Sequence, residues 1–264
     1  MSAAELDYLA DLLRQEPLEI APDTFVIRAA MHAFGGVATN LNSMVIRARE
    51  PVIVDTGIVT SRKEWFGDVF SLVEPEAVRW IFVTHDDPDH AGNLVEALER
   101  CPNATVVASR GGSFRTAACL GVPLQRIRMV DDGELLDVGD RVLRAVRPPV
   151  YDSPYTRGLF DPTTRVFYSS DAFCAPTPTE LVDYVDQMPE QMWAEGMARF
   201  HHHSLCPWIS LVDERRLRAE LDKLASLEIE VIAGSHTPVI RGAWVARAYE
   251  QMAKLPSTAP QALY

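Results

Sequence analysis

Five ionisable side chains fall within the six residues His85-Asp86-Asp87-Pro88-Asp89-His90. Imidazole and carboxylate are the donors that first-row metals such as iron, manganese and zinc accept. In an extended segment alternate side chains point the same way. His85 and Asp87 can therefore face one metal, while Asp89 and His90, where the chain enters a helix, face a second. Asp86 then points away, to support a ligand or to meet solvent. The competing reading is a solvated acidic turn with Asp89 near the N-cap of a helix. The setting argues against it, because the segment directly follows the apolar run Arg79-Trp80-Ile81-Phe82-Val83-Thr84.

Two more polar groups stand where apolar runs stop. Arg165-Val166-Phe167-Tyr168 ends on Ser169-Ser170-Asp171, and Glu228-Ile229-Glu230-Val231-Ile232-Ala233 delivers Gly234-Ser235-His236. Short runs of this kind fit buried strands, and open α/β architectures put their chemistry where such strands end. Further strands are predicted over 24–28, 43–47, 51–55 and 104–108, with several short pieces between 125 and 147. Helical spacing covers 62–73, 92–100, 178–199, 213–227 and 244–253. Leu6, Leu9, Leu12 and Leu13 among charges predict an amphipathic N-terminal helix, broken by Pro17 and Pro22, so that about 1–22 forms a helical extension. No composition shift marks a linker, so residues 1–264 read as one domain. Two successive halves, each mostly strands followed by helices, imply two sheets packed between outer helices.

Composition narrows the function. Thirty-seven acidic against 25 basic residues leave a net charge of -12. With no Lys/Arg cluster, the chain lacks the footprint of a nucleic-acid binder or of a protein drawn to an anionic membrane. No apolar run approaches the roughly 18 residues of a membrane span. The start, Met1-Ser2-Ala3-Ala4-Glu5-Leu6-Asp7, has no signal-peptide character. Cys101, Cys119, Cys174 and Cys206 form no CxxC pair, which argues against a zinc ribbon or thioredoxin site and for a reducing cytoplasm.

The His85–His90 segment resembles the His-x-His-x-Asp-His signature of the metallo-β-lactamase superfamily. Its carboxylate at the third position resembles the flavodiiron and oxygen-binding branch, whose form is His-x-Glu-x-Asp-His followed by a small residue and Gly. Here Asp87 takes the place of the Glu. Asn40 to Ile46, Val54-Asp55-Thr56-Gly57, Ser169-Ser170-Asp171-Ala172-Phe173 and Ser235-His236 match in order, so the resemblance runs from about residue 24 to 253. It implies a four-layer αββα sandwich, two mixed sheets flanked by helices, holding two divalent ions. Iron is favoured, with zinc or manganese as alternatives. Asp171 would bridge the ions, His236 would complete the second site, and Asp55 would support the ligands without touching metal. The family pattern also implies a homodimer.

Two departures qualify that picture. The family supplies another histidine three residues before an Asp-Ser pair; the matching stretch here is Pro149-Val150-Tyr151-Asp152-Ser153. Proline has no donor, so the first site keeps only His85, Asp87 and Asp171, and Asp152, His32 or one of His201, His202 and His203 becomes a candidate substitute. The histidine triplet otherwise reads as a surface cluster, and His32 as an ordinary loop residue. The chain also ends soon after His236, so no flavin is expected in this polypeptide and electrons would come from a separate donor protein. Three functions follow for a small-molecule substrate: a di-iron protein that binds or reduces dioxygen or nitric oxide, a metal-dependent hydrolase of an ester, lactone or phosphodiester, or a non-catalytic sensor.

Overall fold

The computed structural model describes residues 12–33, 36–178 and 180–258. Val52-Ile53-Val54 shows how its sheets are built: Val52 and Val54 pack into the core between the sheets, while Ile53 packs on the other face under helices. Phe82 and Val107 repeat the inward position, and Ile81 and Val106 the outward one. Three-residue strands have no stability of their own. Burial on both faces, worth roughly 1.5–3 kcal/mol for each large apolar side chain, holds them in place.

The first sheet runs in the order Thr177–Pro178, Val37–Asn40, Thr24–Ala33, Ser43–Ile46, Val52–Val54, Trp80–Phe82, Thr105–Ser109, Ile127–Val130, with Leu12–Ala21 paired to Thr24–Ala33. Its strands from Val52–Val54 to Ile127–Val130 are parallel. The second sheet runs Ile240–Arg241, Val231–Ala233, Val166–Tyr168, Gly158–Asp161, Val142–Val146, Leu135–Asp137, and only Val166–Tyr168 and Val231–Ala233 pair in parallel. Helices Arg62–Leu72 and Leu94–Arg100 cover the first sheet through Trp65, Phe66, Leu94 and Leu98. Glu190–Phe200, Glu214–Ala225 and Ala243–Lys254 cover the second through Trp193, Leu221 and Met252. The result is the expected four-layer αββα sandwich with two mixed sheets.

Three local expectations fail. Residues Leu12–Ala21 form a strand rather than the end of a helix. Pairing with Thr24–Ala33 overrides the helical spacing, and the register shift between Gln15 and Leu18 takes up Pro17 at a bulge on an edge strand, where a missing N–H is tolerated. Arg28 donates to the Glu16 carbonyl there. Residues 1–11, the rest of the expected extension, lie outside the described residues. The helix expected from 178 starts only at Glu190, after Pro189. The helix Arg110–Leu120 was not foreseen, since Gly111-Gly112 depresses helical propensity. Those glycines have a reason: a Cβ on Gly111 would collide with the Tyr155 ring.

Candidate metal centre

Four chain segments leave the sheets at the same end of the sandwich. They follow Val52–Val54, Trp80–Phe82, Val166–Tyr168 and Val231–Ala233, and they bring together Asp55, His85 to His90, Asp171 and His236. Asp171 is buried, and its two oxygens face different imidazoles. Oδ2 lies 3.4 Å from His85 Nε2, while Oδ1 lies 3.0 Å from His90 Nε2 and 3.4 Å from His236 Nε2. Asp89 Oδ2 is 3.6 Å from His90 Nε2 and 3.3 Å from His236 Nε2. On the other side, His85 Nε2 is 3.7 Å from Asp87 Oδ2 and 3.8 Å from Asp152 Oδ2.

The far side of each ring shows which nitrogen carries the proton. His236 Nδ1 is 2.7 Å from the Asn40 carbonyl, which can only accept, so Nδ1 donates and Nε2 is the nitrogen left to offer its lone pair to a cation, proton or metal. His90 Nδ1 donates to Asp55 Oδ2 at 2.8 Å. Asp55 also accepts from the Thr84 N–H and the Thr84 hydroxyl, and the Ser170 hydroxyl donates to Thr84 Oγ1. With both hydroxyl protons committed, His85 Nδ1 must donate to Ser170 or Thr84. Three Nε2 lone pairs therefore converge on carboxylates.

Lone pairs that converge in a buried site call for a cation. His85 Nε2 and Asp171 Oδ1 are both buried with no hydrogen-bond partner, although Asp171 Oδ1 is close to two imidazoles. Metal–donor bonds of about 2.1 Å place neighbouring donors roughly 3.0–3.4 Å apart, close to the separations here. The residues thus fit metal ions. Three groups have donor atoms within 4.8 Å of one another: His85, His90 and Asp171; Asp89, His90 and His236; His85, Asp87 and Asp152. Where no ion is bound, protons on the imidazoles take the cation's part: burial would raise the Asp171 carboxyl, but charged His90, His85 and His236 outweigh it and hold it far below the usual carboxylate range, and a metal would displace those protons. The Asp152 carboxyl is pushed up, first by burial and then by Asp171.

The other sequence candidates fall elsewhere. Asp86 turns outward to Arg115, which donates to both its oxygens. His32 pairs with Ala38 in the first sheet and joins none of the donor groups found among the described residues. His201 and His202 are buried, so the surface reading of the triplet is wrong for them. The α-helix passes into a π-helical turn at His201–Leu205 and folds both rings inward: His201 Nδ1 lies 2.7 Å from the Met197 carbonyl, and His202 Nε2 lies 2.9 Å from that of Leu255. His203 joins no donor group among the described residues. Sequence reasoning missed Thr84 and Ser170, although both are hydroxyl residues directly before a candidate ligand. Asp55 and Ser170 hold φ values of 59° and 57°. Such strain in a non-glycine residue persists where the surroundings impose it, as at functional sites.

The family model described as ODP family beta lactamase matches residues 38–237, a span that holds all seven clustered side chains. The chain belongs to this family. Flavodiiron proteins are among its matches, and their lactamase-like part corresponds to this chain. The flavo-diiron protein FprA2 of Clostridium acetobutylicum is 22% identical over 207 residues, 76% of this chain and 50% of the relative. The flavodiiron protein of Giardia intestinalis matches with a TM-score of 0.80 at 18% identity, over 92% of this chain and 60% of that one. The rubredoxin oxygen:oxidoreductase of Desulfovibrio gigas matches at 0.79 and 16%, over 93% and 63%. At such identities the structural likeness speaks for the fold alone. The ODP-family chain spans between 24% and 50% of the length of curated relatives that it matches. Among the described residues no helix is long and apolar enough to cross a membrane.

Proposed function

We propose that this chain seats a pair of divalent ions, iron favoured, and binds or reduces dioxygen or nitric oxide with electrons from a separate donor protein. His85, Asp87 and Asp171 would hold the first ion, and Asp89, His90, His236 and Asp171 the second. The observation that carries the reading is Asp171, whose Oδ2 lies 3.4 Å from His85 Nε2 while its Oδ1 lies 3.0 Å from His90 Nε2 and 3.4 Å from His236 Nε2. A carboxylate placed in this way would serve both ions. Three aspartates beside three imidazoles suit iron or manganese better than the nitrogen-rich sets usual for zinc. When bound, the pair would supply one-electron chemistry at two adjacent positions. The protein's part is to hold each Nε2 unprotonated by fixing Nδ1–H on Asp55, Asn40 or a hydroxyl. Homodimer formation and a cytoplasmic setting, in keeping with four free cysteines, belong to the same proposal.

The test is metal analysis of protein purified without added metal, joined to an anaerobic visible spectrum and to gas consumption with a chemical reductant. Two irons per chain and consumption of dioxygen or nitric oxide are expected. Bound zinc with turnover of an ester, lactone or phosphodiester would replace this reading with a hydrolase, and a chain that takes up no metal would point to a sensor.

A further inference from the structure

Pro149 removes a donor from the first site, and the structure shows what stands in its place. Asp152 lies in the loop between the strands Val142–Val146 and Gly158–Asp161, and its Oδ2 is 3.8 Å from His85 Nε2. The placement is built rather than incidental. Asp152 Oδ1 accepts from the Ser153 N–H at 2.6 Å, which turns Oδ2 towards the site. The loop is tied at both ends: Arg147 N–H donates to Asp132 Oδ1, and Arg157 N–H donates to the carbonyl of Thr84, the residue before His85. Between them Tyr155 seats on Gly111, where any side chain would collide with it.

Resting on the dinuclear reading above, we propose that Asp152 closes the first site and that its carboxylate makes the two halves select unlike ions. The first half has one imidazole, His85, and three carboxylates, Asp87, Asp152 and Asp171. The second has two imidazoles, His90 and His236, and two carboxylates, Asp89 and Asp171. Oxygen donors suit hard ions such as manganese(II), and imidazole suits iron or zinc. Exposure runs the same way. Like for like, the Asp87 side chain is 48% exposed against 23% for Asp89, so the first half can keep more of the water ligands a hard ion retains. With Asp152 included, four carboxylates neutralise two divalent ions, with the larger share of negative charge on the first half. Offered iron(II) and manganese(II) together, the chain takes manganese in the first half and iron in the second.

The experiment is anaerobic loading of the full chain with equimolar manganese(II) and iron(II). Metal content per chain and the manganese paramagnetic resonance signal are then read for the wild type, Asp152→Asn and Asp152→His. Asn keeps the acceptor for Ser153 N–H and so guards the loop fold, which circular dichroism checks. The wild type is expected to hold one manganese and one iron. Asp152→Asn should weaken manganese binding at least tenfold and keep the iron, while Asp152→His should shift the first half towards a second iron. Two ions of one kind in the wild type, or manganese affinity unchanged in Asp152→Asn, would overturn the proposal. Two irons together with dioxygen or nitric oxide consumption would sink the selection argument and leave the functional reading intact. A mixed pair with no gas chemistry under iron loading would do the reverse.

Discussion

The two halves of the centre differ in how their donors are held. In the His90–His236 half, each imidazole sits in the core with its outer nitrogen fixed on a rigid acceptor, Asp55 or the Asn40 carbonyl. Asn42 ties down the chain around His236 by donating to the carbonyls of Gly234 and Thr237. In the His85 half, apart from the shared Asp171, only the histidine is buried; Asp87 lies just past a strand end, and Asp152 comes from a loop. Donors fixed by short hydrogen bonds in the core lose little entropy on binding, whereas the more exposed Asp87 and Asp152 carboxylates lose more. On the proposed dinuclear reading, the second half would be the tighter seat and the first the more open one.

Asp171 belongs to both halves, so its loss should do the most damage. Asp171→Ala is expected to lower metal content from two ions towards one or none per chain. Two ions retained at wild-type affinity would remove the bridge and the comparison with it.

Asp55 separates the halves. Asp55→Ala leaves His90 Nδ1 and both Thr84 donors without their buried acceptor. Breaking a buried charged hydrogen-bond set costs about 3–5 kcal/mol, which lowers Tm by on the order of 10 °C in a chain of this size. Chelator competition should show the second half weakened roughly 10–100-fold. Equal weakening of both halves would mean that they are not independent.

His201 sharpens the comparison from outside the donor groups. Burial lowers its pKa to about 4, so the folded chain holds it neutral where the unfolded chain binds a proton at about 6.5. The unfolded state thus carries the extra proton between these values, and stability falls as pH drops from about 6.5 to about 4, at up to about 1.4 kcal/mol per pH unit. Denaturant unfolding across this window should show a shallower pH slope in His201→Phe than in the wild type. Parallel slopes would show that His201 titrates as an exposed imidazole.

The smallest effect belongs to the outward face of the same motif. Arg115→Ala removes the partner of Asp86, whose side chain is only 5% exposed, and should leave metal content unchanged while lowering Tm by a few degrees. A loss of metal on titration would show that the Asp86–Arg115 contact helps to place Asp87.

Much of this could be read in the amino-acid sequence, because the informative patterns are local. Imidazoles and carboxylates at His85, Asp87, Asp89 and His90 sit within a few residues of one another, and Asp171 and His236 each follow an apolar run that the two-faced core requires. Contacts between distant segments decided the rest. Helical spacing at Leu12 and Leu13 lost to pairing with Thr24–Ala33, since a ladder along an existing strand outweighs a short segment's propensity. Gly111-Gly112 disguised a helix whose glycines answer to Tyr155, far along the chain. Asp152, His32 and the triplet at His201 were equivalent candidates for the seat left by Pro149. Only the route of one loop, pinned by Arg157 N–H to the Thr84 carbonyl, brings Asp152 to His85, while backbone carbonyls at Met197 and Leu255 engage His201 and His202. Residue type and spacing specify which donors exist, but which donors meet depends on packing between segments that have no pattern in common.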